Sequence, residues 1–441
     1  MSAAHMSSSP ATALAPALDQ DLVPPLSALQ AMAESARCLY CFEAACVAAC
    51  PTGIDIPGFI RRIGNGNVKG AALTILESNI LGGTCARACP TEVLCEGACV
   101  RTYAAEAPVA IGRLQRYATD HLFASGIQPF ARGPATGRRV AVVGAGPAGL
   151  SCAHRLARLG HAVTLYDARP KAGGLNEYGL AAYKMTGGFA QREVDFVLGV
   201  GGIEVKHGAA LGREVTLGEL RGSYDAVFLG LGLSATNALM VEGEDLAGVA
   251  DAVEVIAALR QGLPTDPPLA GARVVVIGGG NTAIDAAVQS LCVGAAEVTL
   301  AYRRGTEHMG ATGYEQDLAR TRGVSLRTWL APRRILGGGG RVAAVEFERT
   351  RLEAGRLAGG GETVTVPCDA VLKAVGQKLH PAGLDGLAVS GGKIAVDGTF
   401  ATSLPGVFAG GDCVKSGEDL TVQAVEDGKR AAHAIDLYLK A

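Results

Sequence analysis

Eight of the twelve cysteines fall between Cys38 and Cys99 of a 441-residue chain. They run Cys38-x2-Cys41-x4-Cys46-x3-Cys50-Pro51, then Cys85-x3-Cys89-Pro90-x4-Cys95-x3-Cys99. Thiols at such short intervals read as metal ligands in a chain long enough to build a core without disulfide staples. Two zinc sites of four thiolates each would use all eight. Two [4Fe–4S] clusters would as well, and the Cys-Pro endings favour them: in such runs the last Cys often ligates the other cluster. Cys152, Cys292, Cys368 and Cys413 stand alone and are expected to be small core residues.

The second chemistry is phosphate binding. A β-branched strand from Val140 to Val143 runs into Gly144-x-Gly146-x-x-Gly149, with Pro147 and Ala148 opening a helix. Gly144 makes the turn, Gly146 lets the backbone approach a pyrophosphate, and Gly149 lets helix and strand pack. The helix N-terminus offers oriented N–H groups to the phosphates. A second strand ends at Asp167, 18 residues after Gly149, where an acid can bind a ribose hydroxyl. The plan repeats from Val274: Gly278-x-Gly280-x-x-Ala283, with Asn281 and Thr282 opening the helix. Where Asp167 stood, the second unit has Arg303-Arg304. An arginine pair suits a 2′-phosphate, so the second nucleotide is expected to be NADPH before NADH. The alternative is two arginines on a solvated strand end.

These sites need elements to carry them. Residues 1–30 are rich in Ala, Ser and Pro and are expected to be a flexible tail. Residues 31–132 hold the cysteines on helices, with Phe59, Ile60, Ile63 and Ala71, Ala72, Ile75, Leu76 at helical spacing. A linker, 133–139, follows. Val342 to Leu357 has a hairpin pattern between glycine-rich stretches. The fold class expected is α/β: two Rossmann-like domains preceded by an α-helical iron–sulfur domain. The turn Gly410-Gly411-Asp412 and the strands at 226–232 and 370–376 resemble those of two-dinucleotide flavoproteins, which implies that the first dinucleotide domain takes 139–267 and 377–441 and the second, inserted in it, takes 268–376.

Composition excludes several classes. Forty Lys and Arg against 42 Asp and Glu leave a charge of −2, with no basic excess for nucleic acid. With 49% hydrophobic and 19% charged residues, disorder is excluded. No apolar run of about 18 residues is free of a charge or a Gly/Pro break, so no membrane span is expected. Residues 1–30 contain no Lys or Arg and no apolar h-region, so a cytoplasmic location is expected.

Near the C-terminus, Val407-Phe408-Ala409 runs into Gly410-Gly411-Asp412. This resembles the second FAD fingerprint of two-dinucleotide flavoproteins, where the Asp holds the ribityl or phosphate end. The strands at 226–232 and 370–376 resemble the crossovers between FAD and NAD(P)H domains. Gly174 and Leu175 are assigned to the flavin site; their segment, GGLNEY, lacks the redox Cys pair of disulfide reductases. Together, CLYCFEAACVAACPTGIDI, GGTCARACPTEVLCEGAC, GAGPAGL, GGGNTAID and VFAGGD resemble the glutamate synthase small-subunit family. The resemblance covers about 35–440. It extends to the N-terminal half of dihydropyrimidine dehydrogenase and to the separate small subunit of the bacterial enzyme.

The resemblance implies FAD, two [4Fe–4S] clusters and NAD(P)H. It implies that Cys38, Cys41, Cys46 and Cys99 hold one cluster, and that Cys50, Cys89, Cys95 and Gln115 hold the other. Cys85 is then unligated, although spacing alone would choose it. Glutamate synthase small subunits usually have Glu where this chain has Gln115, and GGLNEYGLAAYK departs from their pattern. Both features favour the pyrimidine branch. The function expected is the electron-input subunit of dihydropyrimidine dehydrogenase, in a hetero-oligomer with an FMN-containing large subunit. No acid–base catalytic residue is nominated, since the chemistry belongs to the cofactors. The alternatives are a glutamate synthase small subunit, a stand-alone NAD(P)H:ferredoxin-type oxidoreductase, and a zinc-stabilised nucleotide-binding scaffold.

Overall fold

The computed structural model describes residues 18–415 and 418–441. The N-terminal part is helical, with helices at Ala28–Ser35, Ile56–Gly64, Val68–Ser78, Gly82–Ala88 and Ile111–Ala124. Their starts are written locally. Ser27 and Gln30 form a reciprocal capping box, and Asp55 and Asn67 accept from Gly58 N and Gly70 N. Phe59, Ile60, Ile63, Ala71, Ala72, Ile75 and Leu76 point inward and pack around Leu114 and Ala118.

The expected tail is shorter at its inner end. Residues 1–17 lie outside the described residues, but 18–30 are held. Arg116 donates to Val23 O and pairs with Asp21, and Leu22 N donates to Tyr183 O at 3.0 Å. The helix at Ala28 then begins inside the stretch read as tail. An Ala/Ser/Pro composition did not reveal these long-range partners.

Two five-stranded parallel sheets follow. The first has the order Val407–Ala409, Ala226–Leu229, Arg139–Val143, Ala162–Asp167, Ile203–His207. The second has Val249–Asp251, Ala370–Ala374, Arg273–Gly278, Glu297–Tyr302, Ser325–Thr328. In each sheet the strand that feeds the glycine loop is central, with chain order reversing on either side of it. That is the switch point where doubly wound sheets bind ligands. Alternate residues of each central strand face opposite cores: Val140 and Val142 one, Ala141 and Val143 the other.

The second domain begins earlier than residue 268. Val249–Asp251 pairs with Ala370–Ala374 in the second sheet, and the helix Ala252–Arg260 packs its Val255 and Ile256 into the second core. The short strand lacked a periodic signal, and only pairing reveals its sheet. The chain crosses between domains at an antiparallel pair, Ala235–Thr236 with Gln377–Lys378. The hairpin is longer than its sequence pattern. Arg341–Glu353 and Arg356–Pro367 are joined by Leu330–Gly338 in a three-stranded antiparallel sheet. Among the described residues, no helix is long and apolar enough to cross a membrane.

Candidate functional site

The cysteine block folds around two adjacent cavities. Cys38, Cys41, Cys46 and Cys99 line one, walled by Ile56, Ile60, Val109 and Ile111. Cys50, Cys85, Cys89, Cys95 and Gln115 line another, with Ile54 and Val422. The two runs therefore interleave: Cys50 leaves the first run for the second cavity, and Cys99 leaves the second for the first. Ile56 lies between the cavities and lines both.

Burial pushes the Cys46 thiol up to about 11 and raises Cys38 as well. Cys89 is raised by its hydrogen bond with Cys85 and by burial. Iron must displace these protons to bind thiolate, so metal loading and folding are coupled here. Among the described residues, no three His, Cys, Asp or Glu side chains converge on one ion-sized point. Each cavity gathers four thiols, the second with Gln115 beside them, in largely apolar walls. That donor set fits a polynuclear cluster.

Five side chains surround the second cavity, and two of them compete for its last place. Gln115 Nε2 donates to Gly82 O at 2.7 Å, which commits its nitrogen and leaves Oε1 as an acceptor. Cys85 accepts from Asn79 Nδ2 at 3.2 Å. Asn79 was missed in the sequence because it lies outside the cysteine spacing. Glu193, from the flavin domain, accepts Gly83 N and Thr84 N at 2.9 and 3.0 Å and so caps the helix bearing Cys85. Burial holds that carboxyl up, at about 7.

In the first glycine loop Gly144 and Gly149 each have a measurable reason. Gly144 has φ +98°, and a Cβ there would sit 2.2 Å from Gly230 O. A Cβ on Gly149 would sit 1.8 Å from Gly144 O. Asp167 accepts Ala145 N at 2.7 Å and Arg169 N at 2.8 Å, and burial raises its pKa. Two remote segments close this cradle. A Cβ on Gly174 would lie 2.7 Å from Gly146 Cα, and one on Gly411 would lie 2.9 Å from Ala148 Cβ. Leu175 begins the short helix after Gly174, and Pro147 begins the long one after Gly146. Asp412 follows at the rim, pushed up to about 6 by burial and then by Asp419.

Asp427 was missed. Its Oδ2 accepts Gly411 N at 3.0 Å, from the helix Thr421–Lys440. Next to it a Cβ on Gly428 would meet Ala148 O at 2.0 Å. A glycine inside a helix was the available signal, since it costs stability unless something packs there.

The second loop has the same frame and an emptier face. A Cβ on Gly278 would sit 2.3 Å from Ala374 O, but one on Gly280 would meet nothing within 4 Å. Asn281 Oδ1 is buried without a partner at the helix start, beside Thr282. The backbone of the arginine pair is pinned: Thr350 Oγ1 donates to Arg303 O, and Trp329 N to Arg304 O. The Arg303 side chain is exposed, and Arg304 Nε is buried without a partner. An open glycine face with orphaned polar atoms on both sides is a cradle that fits a dinucleotide.

Known proteins agree with this division. The family described as dihydropyrimidine dehydrogenase domain II, 4Fe-4S cluster, matches residues 18–127. The pyridine nucleotide-disulphide oxidoreductase family matches 138–428. The glutamate synthase [NADPH] small chain of Escherichia coli K12 is 37% identical, over 95% of this chain and 94% of that one. The NAD-dependent dihydropyrimidine dehydrogenase subunit PreT of Salmonella typhimurium is 34% identical, over 95% and 97%. In fold, the chain is similar to Mycobacterium tuberculosis FprA (TM-score 0.61, 22% identity, 70% of this chain and 85% of that one). It is also similar to T. acidophilum thioredoxin reductase (TM-score 0.54, 24% identity, 68% and 98%). The chain belongs to the glutamate synthase small-chain family of NAD(P)H- and FAD-dependent [4Fe–4S] oxidoreductases.

Proposed function

We propose that this chain is the electron-input subunit of a dihydropyrimidine dehydrogenase. NAD(P)H is the donor, and an FMN-containing partner subunit reduces uracil or thymine. The observation that supports the reading is that Gln115 lines the second cavity with its amide nitrogen committed to Gly82 O. When bound, FAD supplies the exchange between two-electron and one-electron transfer, and the clusters supply single-electron carriage.

The chain's own residues bind, orient and insulate. Gly144, Gly146, Pro147, Ala148, Gly149, Gly174, Leu175, Gly411 and Asp412 form the FAD cradle, with Asp167 at its ribose end. Gly278, Gly280, Asn281 and Thr282 take the second pyrophosphate, and Arg303 and Arg304 its 2′-phosphate, so NADPH is the preferred donor. Cys38, Cys41, Cys46 and Cys99 hold one cluster; Cys50, Cys89, Cys95 and Gln115 hold the other, in largely apolar walls. Val422 begins one of the walls of the second cavity and belongs to the helix that closes the flavin cradle.

A second reading is the small chain of glutamate synthase, favoured by the 37% identity to that protein. Co-expression separates the two. With an FMN-type large subunit, uracil-dependent NAD(P)H oxidation is expected, and none is expected from this chain alone. Turnover only with a glutaminase-bearing large subunit, on glutamine and 2-oxoglutarate, overturns the first reading. Iron and zinc content of the purified chain tests the scaffold alternative: iron is expected, and zinc without iron would support the scaffold and overturn the first reading.

A further inference from the structure

The two dinucleotide cradles are joined by a buried ion cluster. Lys184 lies in the flavin-domain segment that follows Gly174, and its side chain is buried among residues of the second domain. Its Nζ is 2.8 Å from Asp285 Oδ1 and 2.7 Å from Glu315 Oε1. Tyr183 OH donates to the same Asp285 oxygen at 2.9 Å, and Tyr183 packs into the second domain's core. One residue earlier, Ala182 N donates to Gln289 Oε1 at 3.0 Å. Asp285 and Gln289 both lie on the helix that starts at Asn281, so Asp285 is one turn below the second phosphate loop. From the other side, Arg260 of the second domain donates to Glu177 O and Met185 O, both at 2.9 Å. The segment between Gly174 and Met185 is thus gripped at both ends by the nucleotide domain.

We propose that Lys184 is a positioning residue for hydride delivery: by bridging Asp285 and Glu315 it sets the angle between the NAD(P)H domain and the flavin cradle. This rests on the assignment of those two cradles to NAD(P)H and FAD. The bridge runs from Gly174, which abuts Gly146, to the helix whose N-terminus faces the second nucleotide. A shift of that helix is therefore a shift of the donor relative to the acceptor. Hydride transfer is steep in distance and angle, which gives such a bridge a kinetic role.

The chemistry of the cluster agrees. One ammonium faces two carboxylates, and Glu315 Oε2 is buried without a partner. Burial works against the Lys184 charge, but Asp285 and Glu315 together hold it on. A buried charged group of this kind is weak as a source of stability and strong as a determinant of one arrangement, because no slipped packing satisfies it. A methionine of similar length would fill the space and leave two carboxylates facing each other.

The test uses the purified full chain with FAD and clusters loaded, and its Lys184→Met and Lys184→Arg variants. Anaerobic single-turnover mixing with saturating NADPH reads the bleaching of the flavin absorbance. NADP+ titration reads affinity, and hydrogen exchange reads residues 281–289 and 313–321. Lys184→Met is expected to slow bleaching at saturation by about 100-fold, the scale of an ångström-sized misplacement. Affinity for NADP+ is expected to stay as it is, exchange in both segments to rise, and Lys184→Arg to recover most of the rate. An unchanged rate in Lys184→Met overturns the proposal. So does lost affinity with an unchanged rate at saturation. Should Lys184→Met fail to fold, Glu315→Gln removes one of the two carboxylates and is read by the same split between rate and affinity. If the unsubstituted chain's flavin is bleached by neither NADPH nor NADH, the electron-input reading itself fails, which is a different outcome from any of these.

Discussion

The two dinucleotide units share a strand, a glycine loop and a helix, but they differ in what closes over them. The first loop is covered by segments more than 200 residues apart in sequence, at Gly174 and Gly411, each packed against the loop or its helix. Asp427 reaches across to hold Gly411 N. The second loop is covered on one side only, where Ala311 N donates to Gly279 O at 2.9 Å; a Cβ on Gly280 would meet nothing within 4 Å, and Asn281 Oδ1 and Arg304 Nε lack partners. One motif therefore serves two different tasks. A cradle stitched from remote segments suits a group that stays, and an open one suits a nucleotide that must enter and leave on every turnover.

The sharpest way to break this comparison is a matched pair of glycine variants. Gly149→Val places carbon about where Gly144 O already stands, so the helix must move and FAD is expected to be lost on purification. Gly280→Ala meets nothing within 4 Å. It should stay folded and yellow, with weaker NADPH binding because the methyl takes space at the pyrophosphate's approach. Full flavin content in Gly149→Val would deny that the first loop needs its close packing.

The next effect is on nucleotide choice. Arg304→Ala removes the proposed charged partner of the 2′-phosphate, worth about 1.5–3 kcal/mol, or roughly 10–100-fold. We expect kcat/KM for NADPH in dye reduction to fall by that factor and the value for NADH to hold. Equal losses with both nicotinamides would return Arg304 to a structural role.

Asp427→Ala tests the cover of the first cradle. It leaves Gly411 N buried without its acceptor, at a cost of about 1–3 kcal/mol. Thermal unfolding of the flavin-loaded chain should shift down accordingly. The same substitution should leave NADP+ affinity unchanged, because Gly411, whose N–H Asp427 accepts, belongs to the first cradle.

The smallest effect is a pH dependence. Asp412 is raised from 3.8 to about 6 by burial, with Asp419 and Asp427 adding to it and Lys393 opposing. A carboxyl raised on folding favours the native state while protonated. That contribution is present at low pH and is lost as pH rises from 3.8 through about 6. Melting of the flavin-free chain across this window is expected to fall less steeply in Asp412→Asn. Identical slopes would mean that the Asp412 carboxyl is solvated.

Much of this was legible in order. The glycine loops, the strands that feed them and the helix starts follow from steric rules acting over a few residues, and their observed limits fall within one or two residues of those read from sequence. The grouping of the cysteines came from resemblance; spacing alone pointed to Cys85. The structure brings Cys85 and Gln115 to the same cavity, because the helix bearing Cys85 lies against the one bearing Gln115. The domain boundary at 267/268 was misread since Val249–Asp251 is too short for a periodic pattern and gains its identity only by pairing with residues 371–373.

By itself, the sequence determined the local devices: two phosphate loops, the acid at one strand end and the arginines at the other, and thiols in number for two clusters. These depend on backbone conformations and intervals that neighbours in the chain dictate. Only the tertiary structure decided which thiols share a cavity, which loop is covered by Gly174 and Gly411, and that Lys184 meets Asp285 and Glu315. Those outcomes are contacts between residues tens to hundreds of positions apart. They depend on how helices and sheets pack, and no interval in the chain records it.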